Sequence, residues 1–178
     1  MAGLFELELA RARAFTLLAT NGSAMADHVR DDDVELYVLG RLTADVADAI
    51  DDHVRHCGKC CDAIQAAASS LSTRNRALRK GRNDEERRLE SRTLTEEAGL
   101  LQVLQPLSLK RLAVTISNTS GKGLGLRVAE HLDAGGLVQI RTRHAVLLAE
   151  VRYCIKAGGE FLAGVQVEKI SDTPEGRT

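Results

Sequence analysis

Val34, Tyr37 and Val38 recur at the spacing of one helical face, and Gly40 follows them as a stop. Asp32 to Glu35 offers a capping box, so the pattern predicts one short helix here. Val46, Ile50 and Val54 then repeat every fourth position behind Thr43, a good N-cap residue. They predict a second helix whose Asp45, Asp48, Asp51 and Asp52 mainly face water. From Ala63 to Arg79 the chain is rich in Ala and Leu and free of Pro and Gly, which predicts a third, longer helix. That helix fades into Lys80-Gly81-Arg82-Asn83, a charged stretch that reads as a boundary.

Beyond Gly99 the period changes from about 3.6 to 2. Leu112, Val114 and Ile116 alternate with Arg111, Thr115 and Ser117, and Leu124, Leu126 and Val128 alternate with Gly125 and Arg127. Further strands are expected over 137–142, 145–156 and 161–170, set apart by Ala134-Gly135-Gly136 and Gly158-Gly159. By the same alternation Tyr153 and Ile155 point inward, while Cys154 faces outward or into a contact. Five or six short antiparallel strands suggest a small closed barrel, which also removes exposed sheet edges. The predicted class is α+β: a small N-terminal helical module at 26–80, then a six-stranded antiparallel barrel at 85–172.

With no Trp and 3% aromatic residues, the core has to be aliphatic. A net charge of -1 over 178 residues argues against a nucleic-acid coat, but the average hides an asymmetry. Between Asp27 and Lys59 nine acids face four bases, whereas from Arg74 to Arg92 eight bases face four acids. No apolar run approaches the length that spans a bilayer, and no signal peptide or anchor is expected. Met25-Ala-Asp-His28 resembles a natural start, so residues 1–24 read as an over-extension. His131 and His144 fall in predicted loops as solvated imidazoles.

Cys57, Cys60 and Cys61 crowd together, which suits a metal site better than a disulfide framework and a reducing cytoplasm better than an oxidising compartment. His53, Cys57 and Cys60 stand at i, i+4 and i+7, and His28 lies at the start of the first helix. Zinc takes four such donors in a tetrahedron, and a metal clamp would stabilise helices too short to bury much surface. With Glu35-Leu36-Tyr37-Val38-Leu39-Gly40-Arg41-Leu42, this spacing resembles the zinc-binding anti-sigma-factor family over roughly residues 26 to 65. The resemblance implies a structural zinc on His28, His53, Cys57 and Cys60. His56 and Cys61 are neighbouring substitutes. Four protein ligands leave no position for an activated water, so no catalytic role is expected.

Arg88 and Arg92 stand one helical turn apart and precede the turn Asn118-Thr119-Ser120-Gly121-Lys122-Gly123. Guanidinium forks grip phosphate and the O6/N7 edge of guanine, and Gly121 and Gly123 let the backbone come close to a flat base. A doubly anionic guanine nucleotide such as cyclic di-GMP satisfies both features. From about Arg87 to Ile170 the chain resembles the PilZ family, on the Arg-x3-Arg pair, the Asn-x-Ser-x-x-Gly turn and Leu124-Gly125-Leu126, Gly136-Leu137-Val138-Gln139-Ile140, Val151-Arg152-Tyr153 and Gly164-Val165-Gln166-Val167. That resemblance implies cyclic di-GMP binding by Arg88, Arg92, Asn118, Ser120 and Gly123. Arg87 is a third cation, and an alternative first member of the pair. Asn118 stands where the family more often has Asp, which removes a charged acceptor.

The chain is therefore expected to be a cytoplasmic signalling effector rather than an enzyme. Cyclic di-GMP would alter how the helical module meets an unidentified protein partner, by changing the angle between module and barrel. A sigma factor is the partner that the anti-sigma resemblance implies. The alternative is an anti-sigma-like transcription regulator whose barrel is a ligand-blind platform. Direct nucleic-acid binding through residues 74–92 is a third, weaker reading, and no membrane association is expected.

Overall fold

A computed structural model describes residues 28–79, 93–121 and 123–172. Helices α1 (Asp31–Val38), α2 (Ala44–Val54) and α3 (Gly58–Arg79) precede strands β1 (Thr93–Gln105), β2 (Leu107–Thr119), β3 (Gly123–Val128), β4 (Leu137–Arg141), β5 (Ala145–Ala157) and β6 (Glu160–Asp172). All neighbouring strands are antiparallel, and their order β1-β2-β3-β6-β5-β4 returns to β1, so the sheet closes into a barrel.

Helix α1 starts at Asp31 with Arg30 as N-cap, and no side chain makes the cap hydrogen bond. The expected capping box is thus absent, and Asp31, Asp32 and Asp33 act through charge on the free N–H groups of the first turn. Thr43 does hold the N-cap of α2, also without a side-chain bond. At the other end of α1, Arg41 N donates to Leu36 O at 2.9 Å and Gly40 N to Tyr37 O at 3.0 Å, a Schellman closure with Gly40 at φ 64°. A Cβ at Gly40 would also run into the side chain of Val146 on β5. Gly40→Ala is therefore expected to destabilise the fold by roughly 2–4 kcal/mol, from left-handed strain plus overpacking, as read by urea denaturation.

Two cores share the barrel wall. Inside it, Leu101, Ile116, Leu126, Ile140, Val151 and Val165 pack with other aliphatic side chains. Outside it, α1, α2 and α3 lay Val38, Ile50, Ile64 and Leu71 against Leu104, Leu137 and Leu148. The wall between is buried on both faces, so no residue of β4 over Leu137–Ile140 faces water, and the polar Gln139 among them is buried too. Two-sided burial also explains why the end of β1 does not alternate: Leu101-Gln102-Val103-Leu104 reads as a nearly continuous apolar run.

A buried polar network pins the helices to the barrel. Tyr37 Oη donates to Asp51 Oδ1 at 2.5 Å and accepts from Gln102 Nε2 at 2.8 Å. Arg111 on β2 reaches both Asp48 and Asp51, at 2.8 and 2.9 Å. Gln139 Nε2 donates to the carbonyls of Tyr37 and Val38 in the last turn of α1. Asp51 is consequently buried, not turned to water as its helical position suggested, because its phenol and guanidinium partners come from elsewhere in the chain.

Burial, reinforced by the bond to Asp51, pushes the Tyr37 phenol well above its ordinary range. The unfolded chain ionises this group near pH 10 while the folded chain keeps it protonated, so its contribution is lost as pH rises above about 10. Tyr37→Phe is expected to lower stability by about 1–3 kcal/mol at pH 7. Denaturation curves at pH 7 and above 10 check this, since the gap between variant and wild type should narrow at the higher pH.

The β5 alternation also departs from expectation. The register slips between Val151 and Tyr153. Val151 points into the barrel, but beyond the slip Tyr153 and Ile155 are 46% and 55% exposed, and Cys154 packs against the inner core with its Sγ accepting from Leu132 N. One extra residue in a strand reverses every later side chain.

Candidate functional site

The junction of α2 and α3 gathers four metal-capable side chains. His53 sits in the last turn of α2, Cys57 lies between the helices, Cys60 is in the first turn of α3, and His28 comes from the chain before α1. One donor atom from each lies within 4.8 Å of every other. The separations are 3.2 Å for His53 Nε2 to Cys60 Sγ, 3.4 Å for Cys57 Sγ to His28 Nδ1 and 3.6 Å for Cys60 Sγ to His28 Nδ1. A tetrahedron with bonds of about 2.0–2.3 Å has edges of roughly 3.3–3.8 Å, so these donors fit zinc. His56 and Cys61 stand outside the group: His56 Nδ1 lies 3.1 Å from Asp52 O, and Cys61 Sγ meets Gln65 Nε2.

The surroundings favour thiolate at one sulfur first. Backbone N–H groups of Cys60 and Lys59 point at the Cys57 thiol and hold it below its ordinary range. Burial pushes the Cys60 thiol up, although Val29 N donates to its Sγ at 3.3 Å. A bound divalent cation would deprotonate both and be neutralised by them.

The second candidate lies where β2 turns into β3. Asn118 is the penultimate residue of β2, and its side chain lies across Gly125 of β3. Ser120 N donates to Gly123 O at 2.9 Å, Gly123 N donates back to Ser120 O at 3.4 Å, and Ser120 Oγ donates to the same Gly123 carbonyl at 3.3 Å. The turn is thus closed by its own hydrogen bonds, with Asn118, Ser120 and Gly123 beside one another and half-buried. Arg87, Arg88 and Arg92 lie outside the described residues. The described chain resumes at Thr93, which pairs with Thr119 at the end of β2.

No family model matches the chain, and no curated protein matches it. Among solved structures it is similar to that of Bacillus subtilis Inhibitor of motility (MotI/DgrA), at 16% identity and a TM-score of 0.38, over 47% of this chain and 43% of that one. The chain thus spans less than half of that protein's length.

Among the described residues, no helix is long and apolar enough to cross a membrane. The polar partners that fix the helices to the barrel were not singled out from sequence, although a signal was there. Gln102 and Gln139 each interrupt an apolar run, and a lone amide in such a run needs a buried partner.

Proposed function

We propose that this chain is a receptor for cyclic di-GMP, with a PilZ-type barrel at 85–172 preceded by a zinc-stabilised helical module at 26–80, and that it is not an enzyme. The observation that supports this is the pairing of Thr93, the residue after Arg92, with Thr119 next to Asn118. Arg92 is one peptide bond from Thr93, and Arg88 is four residues further back. Forked cations on one side and an amide, a hydroxyl and close-lying backbone on the other suit a guanine ring and its phosphates. Arg87 would supply further positive charge. Asn118 would accept one bond from the base where a carboxylate would accept two.

His28, His53, Cys57 and Cys60 would hold the zinc, whose role is to cross-link α2, α3 and the chain before α1. Because the module shares a core with the barrel, the response to ligand is better placed in the 80–92 connection than in a swing of the whole module. That connection runs from the end of α3 to the start of β1, so gripping it can change what the end of α3 offers to a partner. The ligand shifts that equilibrium only by its differential affinity for the two arrangements.

The exposed acids Asp31, Asp32, Glu35, Asp45, Asp48 and Asp52 favour a basic protein partner for the module, and a sigma factor is one such candidate. In the second reading that partner is the whole function and the barrel is ligand-blind. Calorimetric titration of the full chain with cyclic di-GMP separates them: a saturable heat supports the receptor, and no heat removes it.

A further inference from the structure

The hairpin that joins β4 to β5 turns through Arg143 and His144, closed by Thr142 N donating to Ala145 O at 2.9 Å. Next to it Arg141 pairs with Leu100 of β1 on one side and Val146 of β5 on the other, and Val146 pairs in turn with Ser171 of β6. Lys169 stands two residues before Ser171 and so shares its face of the strand. Gly40 lies over Val146, which brings Arg41 of the α1–α2 connection to the same corner. Among the described residues, the side chains of Arg41, Arg141, Arg143 and Lys169 make no ion pair and no hydrogen bond. Arg30, Arg55, Lys110, Arg111, Arg127 and Arg152, by contrast, each meet a carboxylate. Two aliphatic side chains lie among the four free cations. Leu100, 48% exposed, is beside Arg141, and Ile170, 66% exposed, sits between Lys169 and Ser171, beyond the stretch of β6 that β3 covers.

Four cations without counter-charges repel one another, so a corner that gathers them is complementary to an anionic surface. We propose that this corner seats the protein on an anionic lipid bilayer, with the guanidinium and ammonium groups among the headgroups and Leu100 and Ile170 at the boundary with the acyl chains. Free phosphate would complement the charge and leave the aliphatic side chains in water, whereas the bilayer boundary takes both. The contact is peripheral, and among the described residues no helix is long and apolar enough to cross a membrane. It does not rest on cyclic di-GMP. It departs from the expectation of no membrane association because Arg41, Arg141, Arg143 and Lys169 come from three separate parts of the chain and reach one corner only through the fold.

Sedimentation of the full chain with vesicles of phosphatidylcholine, alone or mixed with phosphatidylserine, tests this. Wild type is expected to partition onto the mixed vesicles and not onto the neutral ones, and to leave them as salt is raised. Each cation near an anionic surface changes partition about fivefold, so Arg41→Gln combined with Arg143→Gln should bind roughly twenty-five-fold more weakly. Both side chains are exposed, so the double variant should keep the wild-type circular dichroism spectrum. Ile170→Ser leaves the charge unchanged and should bind several-fold more weakly. A wild type that stays in solution with the mixed vesicles, binds both kinds alike, or is matched by the double variant overturns the proposal. Retention on a poly-glutamate matrix without vesicle binding would assign the corner to an acidic protein and overturns it as well.

Discussion

Chelating the metal, or replacing Cys60 by Ser, is expected to melt α1, α2 and α3, with most of the helical circular dichroism lost. Cys60 is 2% exposed and belongs to the metal group and to the hydrophobic core that covers the barrel. Structural zinc supplies on the order of 10 kcal/mol to small domains that could not otherwise fold, and α1 and α2 are too short to persist alone. The strands should survive, because the inner core has no residue from the helices. Loss of the helices would nevertheless expose Leu104, Leu137 and Leu148, so the metal-free protein should aggregate or bind a hydrophobic dye. Cys61→Ser, whose sulfur lies outside the group, should keep its helices and one zinc per chain. Elemental analysis beside the spectrum decides the matter: fully helical protein without zinc contradicts the clamp.

Replacing Arg88 and Arg92 together by Ala should weaken cyclic di-GMP binding by at least a hundredfold. Each charged, forked hydrogen-bonding group is worth roughly 1.5–3 kcal/mol where it meets phosphate or a guanine edge, and the two together exceed a factor of about one hundred. Arg92→Lys keeps the charge and loses the fork, so it should recover little of the loss. Equilibrium titration of the variants at one fixed salt concentration checks this. Wild-type affinity in the double variant would move the site away from the arginine segment.

What was legible in the chain was local. His53, Cys57 and Cys60 are close in sequence, so their spacing alone brought them together, and the Asn118 to Gly123 turn is a short hairpin connection closed by its own backbone. The spacing of Val34, Tyr37 and Val38 marked a helix that ends in a glycine with left-handed geometry, as found. What was illegible depended on partners far along the chain. Asp51 looked solvated because Arg111, 60 residues away, is invisible to helical periodicity. The end of the first strand was hidden because a wall covered on both faces does not alternate. Tyr153 was assigned the wrong face because alternation cannot register a bulge, and that same bulge gives the outer face its aromatic ring.

The central claim is that the arginine segment and the Asn118 turn close on one nucleotide, and a nuclear magnetic resonance titration of the labelled chain with cyclic di-GMP addresses it residue by residue. The expected result is that the backbone amides of Ser120, Gly121 and Gly123 and the side-chain Nε–H groups of Arg88 and Arg92 shift together and saturate at a single ligand concentration. Shifts confined to either group alone, or none in either, would contradict it.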